Sequence, residues 1–393
     1  MEIVFQHPLF KLLIVIALTW AVLPLAAGYV SLLERKVLGD LQVRLGPMRV
    51  GPHGLYQPVA DAFKLIIKED VIPAQADQKL FWLAPVFPTF AALTSFSVIP
   101  ISGAIYGADV NVGLLIVLAM SAMGVLGIIL GGWASNSHYP LLGSLRSAAQ
   151  LVSYEVALSL ALISGVMMAG TLSMVGIVKA QQARHVWFAF DNYGLMIVPF
   201  FMYVVAAIAE TNRSPFDLPE AESELVGGFH TEYTGFRFAL YFLGEYANVM
   251  VVSSVAVTLF MGGWLRPFPN VGWLEYPLNF GFPFAALLGT GIGCIFLARR
   301  LISRIQQVVL AGVGLLVLLC AALFLIPAVN QIVIGPFWFL LKMGSFVYAM
   351  IWIRGTFPRF RYDQLMNLSW KYMIPTGMGA ILVNAVVGVL RAH

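Results

Sequence analysis

Ten apolar stretches punctuate this 393-residue chain, at 9–32, 80–101, 112–133, 148–169, 190–209, 236–261, 281–298, 307–327, 333–352 and 372–390. Each approaches or exceeds the roughly 20 residues that carry an α-helix across a bilayer. The pattern predicts an all-α, polytopic membrane helix bundle. The first stretch reads as a retained span, because Met1–His7 holds Glu2 and no Lys or Arg, unlike the basic start of a cleaved signal. Residues 34–79 form a loop too polar to cross. Within it, 58–70 places Val59, Ala62, Phe63, Ile66 and Ile67 at helical spacing, opposite Asp61, Lys64 and Lys68. Such a helix lies on the membrane surface or against a neighbouring subunit.

Composition agrees with the pattern. The chain is 60% hydrophobic and only 11% charged, far below the charge content of soluble domains. Lys and Arg number 23; seventeen fall in the loops after the first, third, fifth, seventh and ninth spans, five on the opposite side, and Lys342 within a span. The basic side is therefore expected to be cytoplasmic, with both termini on the other side. Cys294 and Cys320 sit in apolar runs without His or Cys neighbours at ligand spacing. No metal site, iron–sulfur cluster or disulfide framework is expected, and no Gly-rich phosphate loop follows a strand.

Charge inside the spans narrows the function. An ionised side chain at the bilayer centre costs at least about 2.5–3.5 kcal/mol on insertion scales. Glu155 stands in the fourth span, Glu210 closes the fifth, and Glu245 lies inside the sixth. Each carboxylate either pairs with a base and serves only as helix glue, or handles protons. The spans carrying them hold no base beyond Arg237 at an edge, and Lys342 is the one base at depth. Carboxylates so placed favour a proton relay.

A second concentration of acid sits between the fifth and sixth spans. Residues 215–233 carry Asp217, Glu220, Glu222, Glu224 and Glu232, about a quarter of the chain's 19 acids. Two carboxylates about 4 Å apart repel by roughly 4 kcal/mol at an effective dielectric of 20. These groups should therefore titrate as a coupled set. Pro215, Phe216, Leu218 and Pro219 interleave with them, which favours a packed loop over a solvated one.

Three stretches carry a family resemblance: ERKVLGDLQVRLGPMRVGPHGLYQPVADAFKLIIKED (34–70), ETNRSPFDLPEAESELVGGFHTEY (210–233) and WIRGTFPRFRYDQLMNLSWKY (352–372). They closely resemble the H-type subunits of respiratory complex I, the proton-pumping NADH–quinone oxidoreductase, whose mitochondrial counterpart is subunit 1. SNSHYPLLGSLRSAAQLVSYEV (135–156) is similar to the family's loop and fourth span. The likeness covers about 9–267 and 333–390. It implies an eight-span core that docks the membrane arm onto the peripheral quinone module and helps form the quinone chamber. Ubiquinone or menaquinone would be the substrate, with iron–sulfur clusters and FMN in partner subunits, and the setting a bacterial inner membrane. Enzyme activity would belong to the assembly, a translocase, since this chain is expected to carry no redox centre.

The resemblance assigns Glu34, Arg35, Asp61 and Lys64 to the quinone chamber. It assigns Asp217, Glu220, Glu222, Glu224, Glu155, Glu210 and Glu245 to proton coupling. Arg213, Arg354, Arg359, Arg361 and Asp363 would hold the loops. The chain then divides into 1–267, comprising the core with its first loop (34–79) and acidic loop (210–235), a segment 268–332, and the last two core spans at 333–393. The middle segment departs from the family pattern and reads as an inserted two-span hairpin against lipid or an extra subunit. Two other readings compete. One is the membrane anchor of an energy-converting hydrogenase-type complex, which the long 34–70 and 352–372 motifs disfavour. The other is an ion-coupled transporter, which would show internal repeats that this sequence lacks.

Overall fold

The computed structural model describes residues 8–217, 227–300 and 303–392, and every regular element among them is helical. Helix α1 spans Pro8–Leu41 and the amphipathic α2 spans Gln57–Ile67. Then come α3 (Gln78–Val98), α4 (Gly113–Ala134), α5 (His138–Ala169) and the short α6 (Met174–Arg184). α7 is Ile197–Glu210, α8 Gly235–Phe260, α9 Phe282–Ala298, α10 Arg304–Leu323 and α11 Pro327–Thr356; α12 covers Tyr362–Leu390 with a π-helical turn at Leu368–Met373. Eight helices among the described residues are long and apolar enough to cross a membrane. The long α1 and the shorter, 14-residue apolar α7 occupy the other two apolar stretches.

Helix α7 is shorter than the apolar stretch 190–209 implies. Regular helix starts only at Ile197, because Asn192 and Tyr193 both take left-handed backbone within short turns. At its other end α7 stops where Asn212 adopts φ 50°, and Pro215, lacking an N–H, prevents resumption. That break exposes the residues following Glu210 to their own packing environment.

Helix α8 is the axis of the bundle. From Val249 to Phe260 it is buried throughout, and it touches α1, α2, α3, α6, α7 and α11. The core beside it comes from Tyr154, Ala157 and Ala161 of α5, Tyr203 and Ala206 of α7, and Phe339 of α11. Without a hydrophobic force between helices in lipid, such approach depends on small residues. At Gly131 of α4 an added Cβ would stand 2.1 Å from the Tyr241 hydroxyl of α8. The α9–α10 pair, by contrast, packs mainly on itself.

Lys342 of α11 does not meet the buried acids. Its Nζ donates to the carbonyls of Met261 (2.7 Å) and Leu265 (2.9 Å), 5.0 Å from the centroid of Trp187. It satisfies carbonyls at the far end of α8 from Glu245, where a cation suits the helix dipole.

Candidate functional site

The site has an outer ion-pair cluster and an inner cavity. The cluster forms where α1, α8 and α11 end beside the segment after α7. Glu34 of α1 is 2% exposed and accepts from both Arg213 and Arg354 of α11. Arg213 also stands 2.9 Å from Glu245 Oε1 of α8, and its guanidinium lies 4.2 Å from the centroid of Tyr246. Asp217 accepts from Arg359 at 3.0 Å. Acids and arginines balance in number, as burial requires.

The electrostatics follow from this geometry. Burial raises the Asp217 carboxyl above its ordinary range, although Arg359, Arg354 and Arg213 pull the other way. Burial also opposes the charge of Arg213, but Glu245, Tyr246 and Glu34 outweigh it and hold the guanidinium firmly protonated. Asp217 Oδ1 is buried without a hydrogen-bond partner among the described residues.

Inward lies a cavity of about 240 Å³, room for several waters. Its walls include Ser121, Tyr203, Glu210, His230, Glu245 and Asn248. Ser121 Oγ of α4 donates to Glu210 Oε1 at 2.6 Å, and Asn248 also bonds that carboxylate. Glu155 of α5 lies within electrostatic reach of Glu210. Neither carries an ion pair among the described residues. Glu245 and Arg354 line this cavity as well as the cluster, so the two compartments share a wall.

The turn Gly228–His230 closes one side. It reaches α5 because Gly143 has no side chain: a Cβ there would stand 2.9 Å from Gly228 Cα. Burial pulls His230 down from 6.5 to about 4, so the imidazole is neutral at physiological pH. Phe229 and Phe238 pack edge-on to it.

The residues singled out by sequence separate into groups. Glu34, Arg213, Asp217, Glu245, Arg354 and Arg359 come together; Glu155 and Glu210 sit deeper. Arg35 and Asp61 lie apart from Glu34, pairing at 2.7 Å on the surface, with Gln57 Nε2 donating to Asp61 at 2.9 Å. They tie α1 to α2. Lys64 is exposed on α2, beside Phe63, Ile66 and Ile67, which are exposed as well. Arg361 and Asp363 are exposed and outside the cluster; the Arg361 backbone N–H donates to Gln364 Oε1 as α12 begins. Glu220, Glu222 and Glu224 lie outside the described residues.

One expectation is corrected. Glu245 is not a carboxylate without a base: Arg213 arrives from the segment after α7, which the absence of bases within the spans did not reveal. Sequence reasoning also missed Ser121, Tyr203, His230, Tyr246 and Asn248. The signal for Asn248 and Tyr246 was present, as polar groups three and one residues after Glu245 inside an apolar helix. Ser121, a lone hydroxyl in a glycine-rich span, gave none.

Among the described residues no group of three or more His, Cys, Asp and Glu side chains is placed to hold a metal ion. A family model described as NADH dehydrogenase matches residues 12–385. The second H-type subunit of NADH-quinone oxidoreductase from Solibacter usitatus is 62% identical over the whole of both chains. The first such subunit from Koribacter versatilis is 50% identical over 95% of this chain and 91% of its own length. The H-type subunit from Rickettsia prowazekii is 42% identical over 92% and 89%. The helical bundle, its buried acids and these matches agree, and the chain belongs to the NADH dehydrogenase family as a membrane-embedded, H-type subunit of NADH-quinone oxidoreductase.

Proposed function

We propose that this chain helps form the quinone chamber of the complex and passes the protonation changes of quinone reduction inward along its buried carboxylates. Reduction of a quinone to a quinol takes up two electrons and two protons, the electrons coming from partner subunits. The first loop, with Glu34, Arg35, Asp61 and Lys64, lies at the chamber's entrance in this reading. Asp217 and the neighbouring Glu220, Glu222 and Glu224 sense the charge change. Arg213, Arg354 and Arg359 hold the cluster's geometry, with Arg361 and Asp363 setting the following helix.

The observation that carries this reading is the position of Glu245. It faces Arg213 on one side and the cavity holding Glu210 on the other. A shift of charge near Glu34 or Asp217 changes how strongly Arg213 holds Glu245, since about 1.4 kcal/mol corresponds to one pKa unit. A proton leaving or joining Glu245 has water-sized space leading to Glu210, and Glu155 lies next along the path. Coupling of this kind needs no covalent chemistry from the chain, only carboxylates whose protonation depends on one another.

The test is Glu220→Gln and Glu224→Gln in the intact complex, beside Glu245→Gln. Assembly should survive while NADH–quinone turnover and proton pumping both fall. Undiminished pumping in all three would remove these carboxylates from the mechanism.

A further inference from the structure

The α9–α10 pair has a charge imbalance that no ion pair among the described residues corrects. Its connecting turn carries Arg299, Arg300 and Arg304, all exposed. No Asp or Glu occurs between Glu275 and Asp363. Glu275 is committed elsewhere, 3.7 Å from Arg266 at the opposite end of α9. None of the three turn arginines forms an ion pair among the described residues; Arg300 instead lies 4.8 Å from the centroid of Phe296.

Two further features surround these charges. α10 packs against the Pro52–Gly54 turn of the first loop, and exposed Arg49 lies three residues before that turn. The basic-residue pattern along the sequence also assigns this turn and the first loop to one side. Above them both helices present apolar side chains outward: Ile292 and Phe296 on α9, Ile305, Val308, Leu315 and Leu319 on α10. Only 11% of the span ending in α9 and 17% of α10 is buried inside the chain, against 78% for α8. On α9 the positions 289, 293 and 296 follow one face at spacings of four and three, and Arg300 follows four residues on, just past the helix end. Gly289 and Gly293 have open space where a Cβ would stand. The two glycines leave that face without side-chain bulk ahead of the Phe296–Arg300 pair.

We propose that the turn between α9 and α10 binds an anionic phospholipid, its phosphate held by Arg299, Arg300 and Arg304 and an acyl chain lying along the α9 face. Guanidinium forks match phosphate oxygens in geometry and are weakly hydrated, which suits the headgroup layer. The occupant supplies the negative charge that the chain lacks for 87 residues between Glu275 and Asp363. It also covers outward apolar surface with hydrocarbon. A protein partner would need an acidic segment placed in the headgroup layer, whereas anionic lipid is already there. The α9–α10 pair thereby becomes a lipid-held outrigger beside the first loop, and this assignment is independent of the proton-coupling reading.

The experiment uses the complete complex, purified from its native membrane and returned to vesicles of phosphatidylcholine containing a trace of photoreactive lipid. The label is carried on phosphatidylglycerol in one arm and on phosphatidylcholine in the other, and cross-linked peptides are mapped by mass spectrometry. Phosphatidylglycerol should label peptides spanning Ile292–Val308 in preference to phosphatidylcholine. That preference should fall about fivefold for each arginine replaced in Arg299→Gln, Arg300→Gln and Arg304→Gln. Arg266→Gln, at the other end of α9, should leave it unchanged. Equal labelling by the two lipids in the unaltered complex would overturn the proposal, whether or not the variants assemble. So would a protein cross-linked to this turn in place of lipid.

Discussion

Arg213 is shared between two carboxylates from different helices: it hydrogen-bonds Glu34 of α1 and stands 2.9 Å from Glu245 of α8. The second contact is an ion pair without hydrogen-bond alignment at Nη2. The guanidinium therefore holds Glu34 tightly and Glu245 by charge alone. Glu245 is the member of the cluster that can change protonation with least disturbance to the geometry.

Glu245→Gln tests that asymmetry. The amide keeps the shape and leaves the Glu34–Arg213–Arg354 contacts in place, so the complex should assemble. Turnover should fall at least about tenfold, since a positioned proton-transfer group is ordinarily worth more than that. NADH–quinone activity and acidification in the same vesicles measure both. Turnover within twofold of the unaltered complex would show that Glu245 carries no proton.

Arg213→Ala should instead fail at assembly. It leaves Glu34 and Glu245 buried against Arg354 alone, and breaking a buried pair costs about 3–5 kcal/mol. Arg213→Lys should recover part of the assembled complex, but a single ammonium cannot reach two carboxylates and also stack on Tyr246. The amount of chain in the assembled complex on native gels separates the three cases. Full assembly of the alanine variant would mean that the cluster is not a structural necessity.

These contrasts also mark what the sequence makes legible. The crossings are readable because apolar length is a direct consequence of bilayer thickness, whereas α7 starts later than the apolar stretch because the polar run Asp191–Asn192–Tyr193–Gly194 inside it forms a turn. Buried acids were readable as exceptions to an apolar rule. Their partners were not: Arg213 reaches Glu34 across 179 residues of sequence and Arg354 reaches it across 320. Such pairings depend on helix packing, which no local pattern reports. Ser121 illustrates the same limit, since a single hydroxyl acquires meaning only once Glu210 is found 2.6 Å away.

A pH effect follows from His230. Burial lowers its pKa from 6.5 to about 4. Between those values the unfolded chain takes up a proton that the folded one refuses. Its contribution to stability is therefore complete above 6.5 and is lost as pH falls toward 4, by up to about 3 kcal/mol. The temperature of irreversible inactivation should drop across this window, and His230→Gln should flatten the drop. An unaltered slope in the variant would place the acid sensitivity elsewhere.

Gly143→Ala isolates the turn from the titrating groups. The new methyl would meet the backbone of Gly228 at 2.9 Å and Phe229 N at 3.0 Å, and backbone cannot swing aside as a side chain can. Overpacking of this kind costs about 1–3 kcal/mol. The turn must move away from α5, taking His230 and Phe229 out of the cavity wall, while every carboxylate and arginine of the cluster keeps its chemistry. Turnover should fall with assembly intact. The loss should not add to that of Glu245→Gln in the double variant, because both interrupt one path. Fully additive losses, or a Gly143→Ala complex with ordinary turnover, would show that the turn's position is irrelevant to coupling and that the carboxylates act without it.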